Sequence, residues 1–418
     1  MKLISLLAFL FTAGLLPAYA AEQQPGPAPE EAQYPPVAPD VQDLYQNALQ
    51  SIADGRKLDA QEALRKVIDR EAQHAGAYLD LGLIQCSLGY TAEAERLFSH
   101  IINHFDPPDG IRELIQEARQ TGCASWEALS QGTLTVSRGV AKNINQGSYA
   151  TGLDVGLPVE LPLSDEFKPI GDQYSQVTAD YSRDLNANGT LGFAQLQVRH
   201  YDRHTQYDSS SLFVGAESPW RFGRWTLRGS VLLGLITLDG RLYQEQAQIQ
   251  ARIETPWKLP YGVRFNITPS MTRQHFRTLN NFDANTAELR GSFVYRDNGN
   301  YVTLGGSYMD DRASDGRPGG NRGGWLSNVF WRHALAYNVL SEMSYSRQSW
   351  DGDQDYLPGL IDVRRRQVTH SWRASLNYPL TKNQSLVLEG RIIRNKENIS
   401  IFKYNDRQLQ LSWQWQRP

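Results

Sequence analysis

The chain of 418 residues has no long apolar run after its first 20 residues, and its mean hydropathy is -0.49. No transmembrane helix is therefore expected beyond the N-terminal segment, and only a β-barrel could cross a membrane. The formal net charge is -3, from 42 basic and 45 acidic residues, which gives no electrostatic case for binding nucleic acid or an anionic surface. Cysteine is also scarce, with two residues in the chain, so at most one intrachain disulfide bond can form.

Catalytic motifs are missing as well. The sequence has no G-x-S-x-G and no clear Ser/His/Asp arrangement, and the serines of YDSSS at 207–211 beside His204 are a weak candidate. His200 and His204 could ligate a metal, but a strand end that enters a polar loop is the favoured setting. The stretch 351–362 has the spacing of a calcium loop, but Tyr356 occupies the position that needs glycine. We therefore expect neither an enzyme nor a bound cofactor or metal.

Residues 1–20 have the features of a cleaved secretory signal. Lys2 precedes the apolar run LISLLAFLFTAGLL, and AYA at 18–20 is a small-x-small cleavage site. No cysteine follows this site, so lipidation there is not expected. An uncleaved anchor is the alternative, but the run is short for a membrane span. Residues 21–40 are rich in proline and are expected to form an extended linker.

Residues 41–123 change to a helical period with an internal repeat. An offset of 34 residues, which is the tetratricopeptide period, aligns similar residues in two copies. Small residues would let the two helices of each repeat approach closely, glycines would lie in the turn, and larger side chains would fill the groove between helices. The aligned pairs are Leu44/Tyr78, Ala48/Gly82, Gly55/Gly89, Ala60/Ala94 and Leu64/Phe98.

A third, partial unit, GIRELIQEARQTG at 110–122, is expected to cap the repeats. Both cysteines, Cys86 and Cys123, fall in or just after this module. A disulfide bond between them is plausible in an oxidising periplasm, and two separate buried thiols are the alternative. The module is either a spacer or folding platform or, as we favour, a protein-binding surface.

From about Thr133 to the end, apolar and polar side chains alternate with period two, which predicts strands with one apolar and one polar face. Ala247 and Ile249, for example, alternate with Gln248 and Gln250. About 14 such segments are predicted, an even number, as single-chain bacterial barrels require. They are 133–142, 173–184, 190–201, 209–218, 222–236, 242–255, 262–273, 285–297, 300–311, 324–334, 337–349, 366–378, 384–395 and 405–416.

The polar face favours an antiparallel transmembrane β-barrel over a soluble sandwich. One long meander without helical crossovers, apolar outside and charged and hydrated in its lumen, accounts for every segment. The stretches 255–262 and 297–300 are predicted as short turns at one end, and 310–324 and 351–366 as the outer loops. Residues 151–163 also alternate, but their two prolines favour a loop or an extracellular flap.

The last residues, LQLSWQWQRP, predict the closing strand of the barrel. Leu409, Leu411, Trp413 and Trp415 are expected to face lipid, with Trp415 at an interface where its ring meets both water and hydrocarbon. We expect this strand to pair with the first one.

A signal peptide, a short tetratricopeptide region and a barrel of about 14 strands together resemble the surface lipoprotein assembly modifiers, called Slam. The ending RNKENISIFKYNDRQLQLSWQ is similar to the final hairpin of that family, with an asparagine-rich turn, the aromatic pair Phe402 and Tyr404, and an alternating closing strand. The resemblance covers nearly the whole mature chain. It implies an outer-membrane translocator that delivers lipoproteins or small secreted proteins to the cell surface, and it offers no catalytic motif.

The expected location is the outer membrane of a Gram-negative bacterium, with the module 41–123 in the periplasm and the barrel 133–418 in the membrane. Expected partners are a client lipoprotein or small secreted protein, periplasmic chaperones, the barrel assembly machinery and outer-membrane lipid. The alternative function is a polysaccharide-export or diffusion porin, although export porins normally carry many more repeats. A structural or adhesin-like barrel would leave the repeat module without a purpose.

Overall fold

A computed structural model describes residues 39–122, 128–153, 161–222, 225–257, 259–297 and 299–417. The chain divides into two compact units, one ending at Ser125 and one beginning at Trp126. The predicted signal peptide and almost all of the predicted proline-rich linker lie outside the described residues.

The first unit is helical. Its described residues form five α-helices: α1 Pro39–Ala53, α2 Lys57–Arg70, α3 Ala75–Ser87, α4 Thr91–His104 and α5 Asp109–Thr121. Helices α1 and α2 pack as one hairpin, and α3 and α4 pack as a second. In the part of the chain that is described, no helix is both long and apolar enough to cross a membrane.

The residues aligned by the 34-residue offset occupy equivalent places in the two hairpins. Ala48, Ala60 and Leu64 are completely buried in the first, and Ala94 and Phe98 are 2% exposed in the second. Burial of this kind removes apolar surface from water, at about 25 cal/mol per Å². The helical period of the sequence therefore corresponds to two small cores.

Glycines fill two different needs in these hairpins. Gly55 and Gly89 lie between the paired helices with φ of 72° and 84°, a left-handed conformation that favours glycine. Gly82 is buried in α3, and a Cβ there would lie 2.8 Å from Cε1 of Phe98. Leu44 and Tyr78, the remaining aligned pair, are partly buried and pack against the cores of their own hairpins.

The second core also includes Cys86 and, from α5, Ile115. Cys86 is disulfide-bonded. Its predicted partner, Cys123, lies outside the described residues, so the pairing stays a prediction. Ile111 and Ala118 of α5 are partly buried against the same core, which closes this side of the second hairpin.

The second unit is a closed antiparallel barrel, as the alternating sequence predicts. In the described residues, strand β1 pairs with β4 and β16, and β4 to β16 follow in sequence order, which gives 14 strands around the wall. Two very short strands, β2 and β3, form a separate sheet within the stretch predicted as a loop or flap. The bounds are β1 Ser130–Ala141, β2 Gly152–Leu153, β3 Leu161–Pro162, β4 Asp172–Asp184, β5 Leu191–Tyr201, β6 Ser209–Phe222, β7 Trp225–Leu238, β8 Arg241–Glu254, β9 Arg264–Phe276, β10 Ala284–Asp297, β11 Asn300–Ala313, β12 Arg322–Ala334, β13 Leu340–Leu357, β14 Ile361–Thr381, β15 Gln384–Glu397 and β16 Tyr404–Arg417.

The prediction of an outer loop at 351–366 is wrong. Strand β13 continues to Leu357 and β14 begins at Ile361, so this stretch is the tip of a long hairpin. The charges that suggested a solvated loop lie opposite one another across the two strands, Asp351 opposite Arg366 and Asp355 opposite Arg364. Opposite charges in directly facing positions stabilise strand pairing.

The two ends of the barrel differ. We call the end that holds Ser130 and Arg417 the terminal end and the other the loop end. Connections at the terminal end span 185–190, 223–224, 255–263, 298–299, 335–339 and 382–383; those at the loop end span 142–171, 202–208, 239–240, 277–283, 314–321, 358–360 and 398–403. The predicted turns 255–262 and 297–300 thus lie at the terminal end, and the predicted outer loop 310–324, which spans 314–321 in the structure, lies at the loop end.

The barrel closes along nearly all of the first strand. Residues 132–141 of β1 pair in register with 408–417 of β16, and the Ser137 and Ser412 hydroxyls lie 2.8 Å apart across this seam. Leu409, Leu411, Trp413 and Trp415 of β16 are all exposed on the outer face, at 53%, 54%, 37% and 37%, where the sequence predicted lipid contact.

Every barrel strand exposes at least one large apolar side chain on its outer face. A continuous apolar surface of this kind is unfavourable in water and is the lipid-facing arrangement of a transmembrane barrel. One exposed member from each strand, in chain order, is Val136, Val177, Leu196, Leu212, Leu233, Ile249, Met271, Leu289, Leu304, Val329, Met343, Leu376, Leu388 and Leu411.

Aromatic pairs flank this apolar surface towards both ends. Towards the terminal end, the rings of Trp225 and Trp257 are 6.3 Å apart, and Phe265 and Phe293 are 4.8 Å apart. Two further outward-facing pairs lie towards the loop end, Tyr308 with Trp325 at 5.1 Å and Tyr345 with Trp372 at 5.4 Å. Aromatic girdles on either side of an apolar band are typical of barrels in lipid.

Candidate functional site: the barrel lumen

The inner face of β8 and β9 is polar and is partly accessible to solvent. The glutamine, serine and threonine side chains in the middle of this face are half-buried, although they point away from the outer apolar surface. Small barrels whose interior is filled by side chains bury such positions. This part of the lumen is therefore accessible to water. The facing pairs are Gln246/Gln274, Gln248/Thr272 and Gln250/Ser270.

Charged side chains on the inner face form ion pairs along the wall. Arg373 on β14 and Glu389 on β15 are 2.6 Å apart, and Arg290 and Glu288 of β10 are 2.8 Å apart. Glu217 on β6 is 3.4 Å from Arg228 and 3.8 Å from Arg252, on the next two strands. Pairing reduces the cost of placing charge beside the protein wall.

Two inner-face arginines have no carboxylate within 4.0 Å in the described residues, Arg199 on β5 and Arg391 on β15. Arg199 donates to Oε1 of Gln176 at 2.6 and 2.8 Å and lies over the Tyr174 ring at 4.4 Å. Arg391 is directly opposite Arg373 in the strand register. These residues give this part of the lumen a local excess of positive charge, which attracts anions.

One part of the lumen wall departs from the predicted charged and hydrated interior. Phe213, Leu232 and Ile236 are buried together on the inner face of β6 and β7, with Phe193 beside them. The Phe213 ring covers Gly234, where a Cβ would lie only 2.4 Å from it. Aromatic rings that cover glycines are a way of filling gaps in a sheet, and here they give an apolar patch inside the barrel.

The longest connection, 142–171, is fixed to the inner rim at the loop end. The backbone amides of Lys142 and Asn143 donate to Oδ1 of Asp406 at 3.2 and 3.0 Å. The Asn143 side chain donates to the carbonyl of Asn405 at 3.0 Å. Three hydrogen bonds to neighbouring residues of β16 hold the start of this connection against the wall.

Tyrosines pack this connection against the barrel. Ile144 is buried with Tyr174 and Tyr201 on the inner face of β4 and β5. Tyr174 is completely buried, and its hydroxyl donates to Oε1 of Gln410 at 2.9 Å. A Cβ on Gly139 would lie 2.5 Å from the Tyr174 ring, so glycine leaves the room that the ring needs. The mouth of the lumen is thus lined on this side by a structured segment.

The long β13–β14 hairpin is anchored to its neighbours at the loop end. Arg365 forms an ion pair with Glu397 at 2.6 Å and lies over the Phe402 ring at 4.2 Å. The rings of Tyr356 and Phe402 are 5.3 Å apart. The hairpin is therefore held against the connection between β15 and β16.

A second buried ion-pair cluster lies nearby. Asp311 of β11 accepts from Arg317 at 2.9 Å and from Arg322 at 2.5 Å, and its side chain is only 1% exposed. The Arg322 guanidinium also lies over the Trp350 ring at 4.4 Å. Breaking such a pair would leave an uncompensated buried charge, so the connection between β11 and β12 is fixed at its base.

The weaker sequence candidates have other partners. His200 and His204 contact Asp208 at 2.5 Å and Asp172 at 3.0 Å respectively. The hydroxyl of Ser210, within the YDSSS stretch, lies 2.6 Å from that of Thr237. Within the described ranges, no group of three or more histidine, cysteine or acidic side chains is arranged to hold a metal ion.

The sequence interpretation did not single out the lumenal charges. Arg199, Arg373, Glu389 and Arg391 lie at polar positions of alternating strands, so the alternation contained a signal for their inward direction. The register between strands decides which of these residues face one another. The sequence of a single strand does not contain that register.

No protein-family model matches this chain, and no curated protein matches it. Solved barrels are similar to part of it. OccAB3 of Acinetobacter baumannii is 9% identical, with 69% of this chain and 99% of that chain covered and a TM-score of 0.37. An anion-selective porin from Comamonas acidovorans is 9% identical over 70% and 99% of the two chains, with a TM-score of 0.35. Omp33 of Acinetobacter baumannii is 12% identical over 69% and 98%, with a TM-score of 0.33.

Proposed function

We propose that this protein is an outer-membrane channel that passes small hydrophilic solutes through the barrel lumen. The observation that carries the proposal is the polar, partly solvent-accessible inner face of β8 and β9, where residues such as Gln248 and Thr272 face the lumen. Amide and hydroxyl groups in such a space need hydrogen-bond partners, and water supplies them. A diffusion channel needs only this lumen, whereas protein translocation also needs a site that recognises a client.

The membrane placement is supported by the outer surface. An apolar side chain on each strand and aromatic pairs towards both ends match the band and girdles of barrels in lipid. The predicted secretory signal supports export across the inner membrane. Together these features favour the outer membrane of a Gram-negative cell.

The proposed orientation places the terminal end in the periplasm. The helical unit precedes Ser130, so after export it would remain on the periplasmic side of the membrane. Barrels of this type have short periplasmic turns and longer outer connections. The 142–171 connection and the β13–β14 hairpin, both at the loop end, would then face outside.

The lumenal charges favour anionic solutes. Arg199 and Arg391 have no carboxylate within 4.0 Å in the described part of the chain, and Glu389 is already engaged by Arg373 at 2.6 Å. Charges of one sign in a confined, low-dielectric passage raise the local concentration of the opposite ion. We therefore expect a modest preference for chloride over potassium.

Delivery of a lipoprotein or small secreted protein to the cell surface is the second candidate, and the two helical hairpins favour it. Helical repeats commonly present protein-binding surfaces, and a diffusion channel has no need of them. In this case the hairpins would capture the client or its chaperone. The β1–β16 seam is paired throughout residues 132–141, so the lumen is the more favourable route.

Channel activity is tested by recording the full chain in planar lipid bilayers under a potassium chloride gradient. We expect stable conductance steps and a reversal potential of the sign that indicates anion preference. The double variant Arg199→Glu/Arg391→Glu should move the reversal potential towards cation preference. Arg138→Gln, on the outer face, is the matched control and should leave it unchanged. A folded barrel that gives no conductance would refute the channel.

Translocation is tested separately by surface display. The full chain and a version without residues 41–123 are each expressed with a lipoprotein from the neighbouring locus, and antibody-labelled intact cells are counted. Labelling that requires residues 41–123 would establish translocation. Equal or absent labelling, with lipoprotein made and barrel inserted, would leave diffusion as the function.

A further inference from the structure

A row of basic side chains crosses the outer face of three neighbouring strands near the loop end. Arg347 on β13 is directly opposite His370 on β14, and His370 is directly opposite Arg394 on β15. Lys396 occupies the next outward position on β15. The charges of Lys396, Arg347 and Arg394 are all close enough to act on the His370 ring. Arg347, Arg394 and Lys396 are exposed. We call these four residues the basic row.

The basic row has no neutralising carboxylate. Neither arginine nor the lysine lies within 4.0 Å of an acidic group anywhere in the described ranges. The outward-facing Asp351, further along β13, is 3.6 Å from Arg366. Arg347, Arg394 and Lys396 carry like charges on the same face of neighbouring strands, and like charges repel one another, so the row is an unfavourable arrangement until an anion binds it.

Three other arginines on the outer face are neutralised within the protein. Arg312 and Asp310 of β11 are 2.9 Å apart. Arg138 forms an ion pair with Asp202, and Arg277 forms one with Glu245. The basic row is therefore unlike these three neutralised sites.

Aromatic side chains fix the depth of the basic row. The Tyr345–Trp372 pair lies one outward position closer to the middle of the barrel on the same strands. The Tyr345 hydroxyl is 3.0 Å from Nδ1 of His370, and the Arg394 guanidinium is 5.7 Å from the Trp372 ring centre. Tyrosine and tryptophan settle where hydrocarbon meets headgroups, and long basic side chains extend from there towards water. The row therefore lies at headgroup depth.

We propose that the basic row binds a phosphorylated glycolipid headgroup of the outer leaflet, with the phosphates of lipid A as its natural occupant. Guanidinium groups bind phosphate through two parallel hydrogen bonds, and lysine adds a point charge. The apolar surface beside Trp372 would contact the acyl chains. This inference rests on the membrane placement and orientation proposed above, and it does not require the lumen to conduct.

The test is native mass spectrometry of the full chain in detergent, titrated with bis-phosphorylated lipid A. Dephosphorylated lipid A, phosphatidylglycerol and inorganic phosphate are the comparison ligands. The test variant is Arg347→Gln/Arg394→Gln/Lys396→Gln. Arg312→Gln/Asp310→Asn, at another outer-face position, is the control. Heat-dependent gel mobility verifies that each variant contains a folded barrel.

We expect the wild-type chain and the control to bind bis-phosphorylated lipid A, and the triple variant to bind it at least about ten-fold more weakly, since each charge-assisted hydrogen bond contributes on the order of a ten-fold factor. Equal binding of dephosphorylated lipid A, or an unchanged triple variant, would overturn the site. Equal competition by inorganic phosphate would overturn a lipid occupant. A preference for phosphatidylglycerol would overturn the outer-leaflet assignment and the orientation, while leaving any measured conductance intact.

Discussion

Replacing Gly82 by alanine tests the packing of the second helical hairpin. The added Cβ would lie 2.8 Å from Cε1 and 3.0 Å from Cδ1 of the Phe98 ring. Carbon atoms in favourable contact are about 3.5 to 4.0 Å apart, so α3 and α4 must separate or the ring must move. Phe98 is 2% exposed, which leaves the ring no open space to enter.

The expected cost follows from two opposing terms. Overpacking a well-filled core costs about 1 to 3 kcal/mol. Replacing glycine by alanine inside a helix recovers about 1 kcal/mol. The net loss of unfolding free energy is about 1 kcal/mol, which in a unit of this size lowers its melting temperature by about 4 to 8 °C.

The assay is thermal unfolding of the full chain in detergent, followed by the helical signal in far-ultraviolet circular dichroism. Gly110→Ala is the matched control, because Gly110 is also helical and no atom lies within 4 Å of its would-be Cβ. Gly110 lies in the first turn of α5, so this control should gain less than the roughly 0.5 to 1 kcal/mol of a mid-helix position. Adding Phe98→Leu to Gly82→Ala should recover part of the loss, which a double-mutant cycle measures.

The reasoning would be refuted if Gly82→Ala stabilised the helical transition as Gly110→Ala does. That result would mean that the two helices are not held at the close distance that the small residue permits. A loss that Phe98→Leu does not relieve would also contradict it, because the cost would then come from another contact.

Three further substitutions test other parts of the molecule. Burial raises the pKa of Asp80, so the ionised carboxylate destabilises the folded unit at neutral pH, and this cost is relieved as the pH falls through the raised value. Asp80→Asn should therefore raise the melting temperature of the helical unit at neutral pH. It should also make that melting temperature less dependent on pH in the acid range. Arg365→Gln would leave the Glu397 carboxylate buried and unpaired, at about 3 to 5 kcal/mol, and hydrogen exchange should show the β13–β14 hairpin opening while the barrel stays protected. Gly139→Ala would push the Tyr174 ring from its place at about 1 to 3 kcal/mol, and heat-dependent gel mobility should show a less stable barrel.

The period of the sequence predicted the strands because lipid and water impose opposite demands on alternate residues. The prediction was less accurate in segments where alternate residues do not face lipid and water. The stretch from Asp351 to Arg366 has no regularly alternating apolar face, and its many charges suggested a loop. The run VLLGLITL at 231–238 is apolar on both faces, so the apolar patch at Leu232 and Ile236 gave no periodic signal.

Features that depend on contacts between neighbouring strands could not be predicted from the sequence. The basic row joins Arg347, His370 and Arg394, which come from three strands and are brought together only by the register. A shift of one residue would turn each of them to the other face. The arrangement of the lumenal arginines could not be predicted for the same reason. An alternating pattern indicates which face a residue lies on, but not which residues of other strands lie beside it.

The seam between β1 and β16 has a consequence for the order of assembly. Ser137 and Ser412, which meet across it, are 275 residues apart in the chain, and closing a loop of that length costs about 5 kcal/mol of chain entropy. The hairpins between successive strands can form early, but the wall stays open until the final strand arrives. During that interval β1 and β15 each present a bare edge that invites pairing with other chains. Successful assembly therefore depends on protecting an open intermediate until the 14 residues of β16, Tyr404–Arg417, are in place.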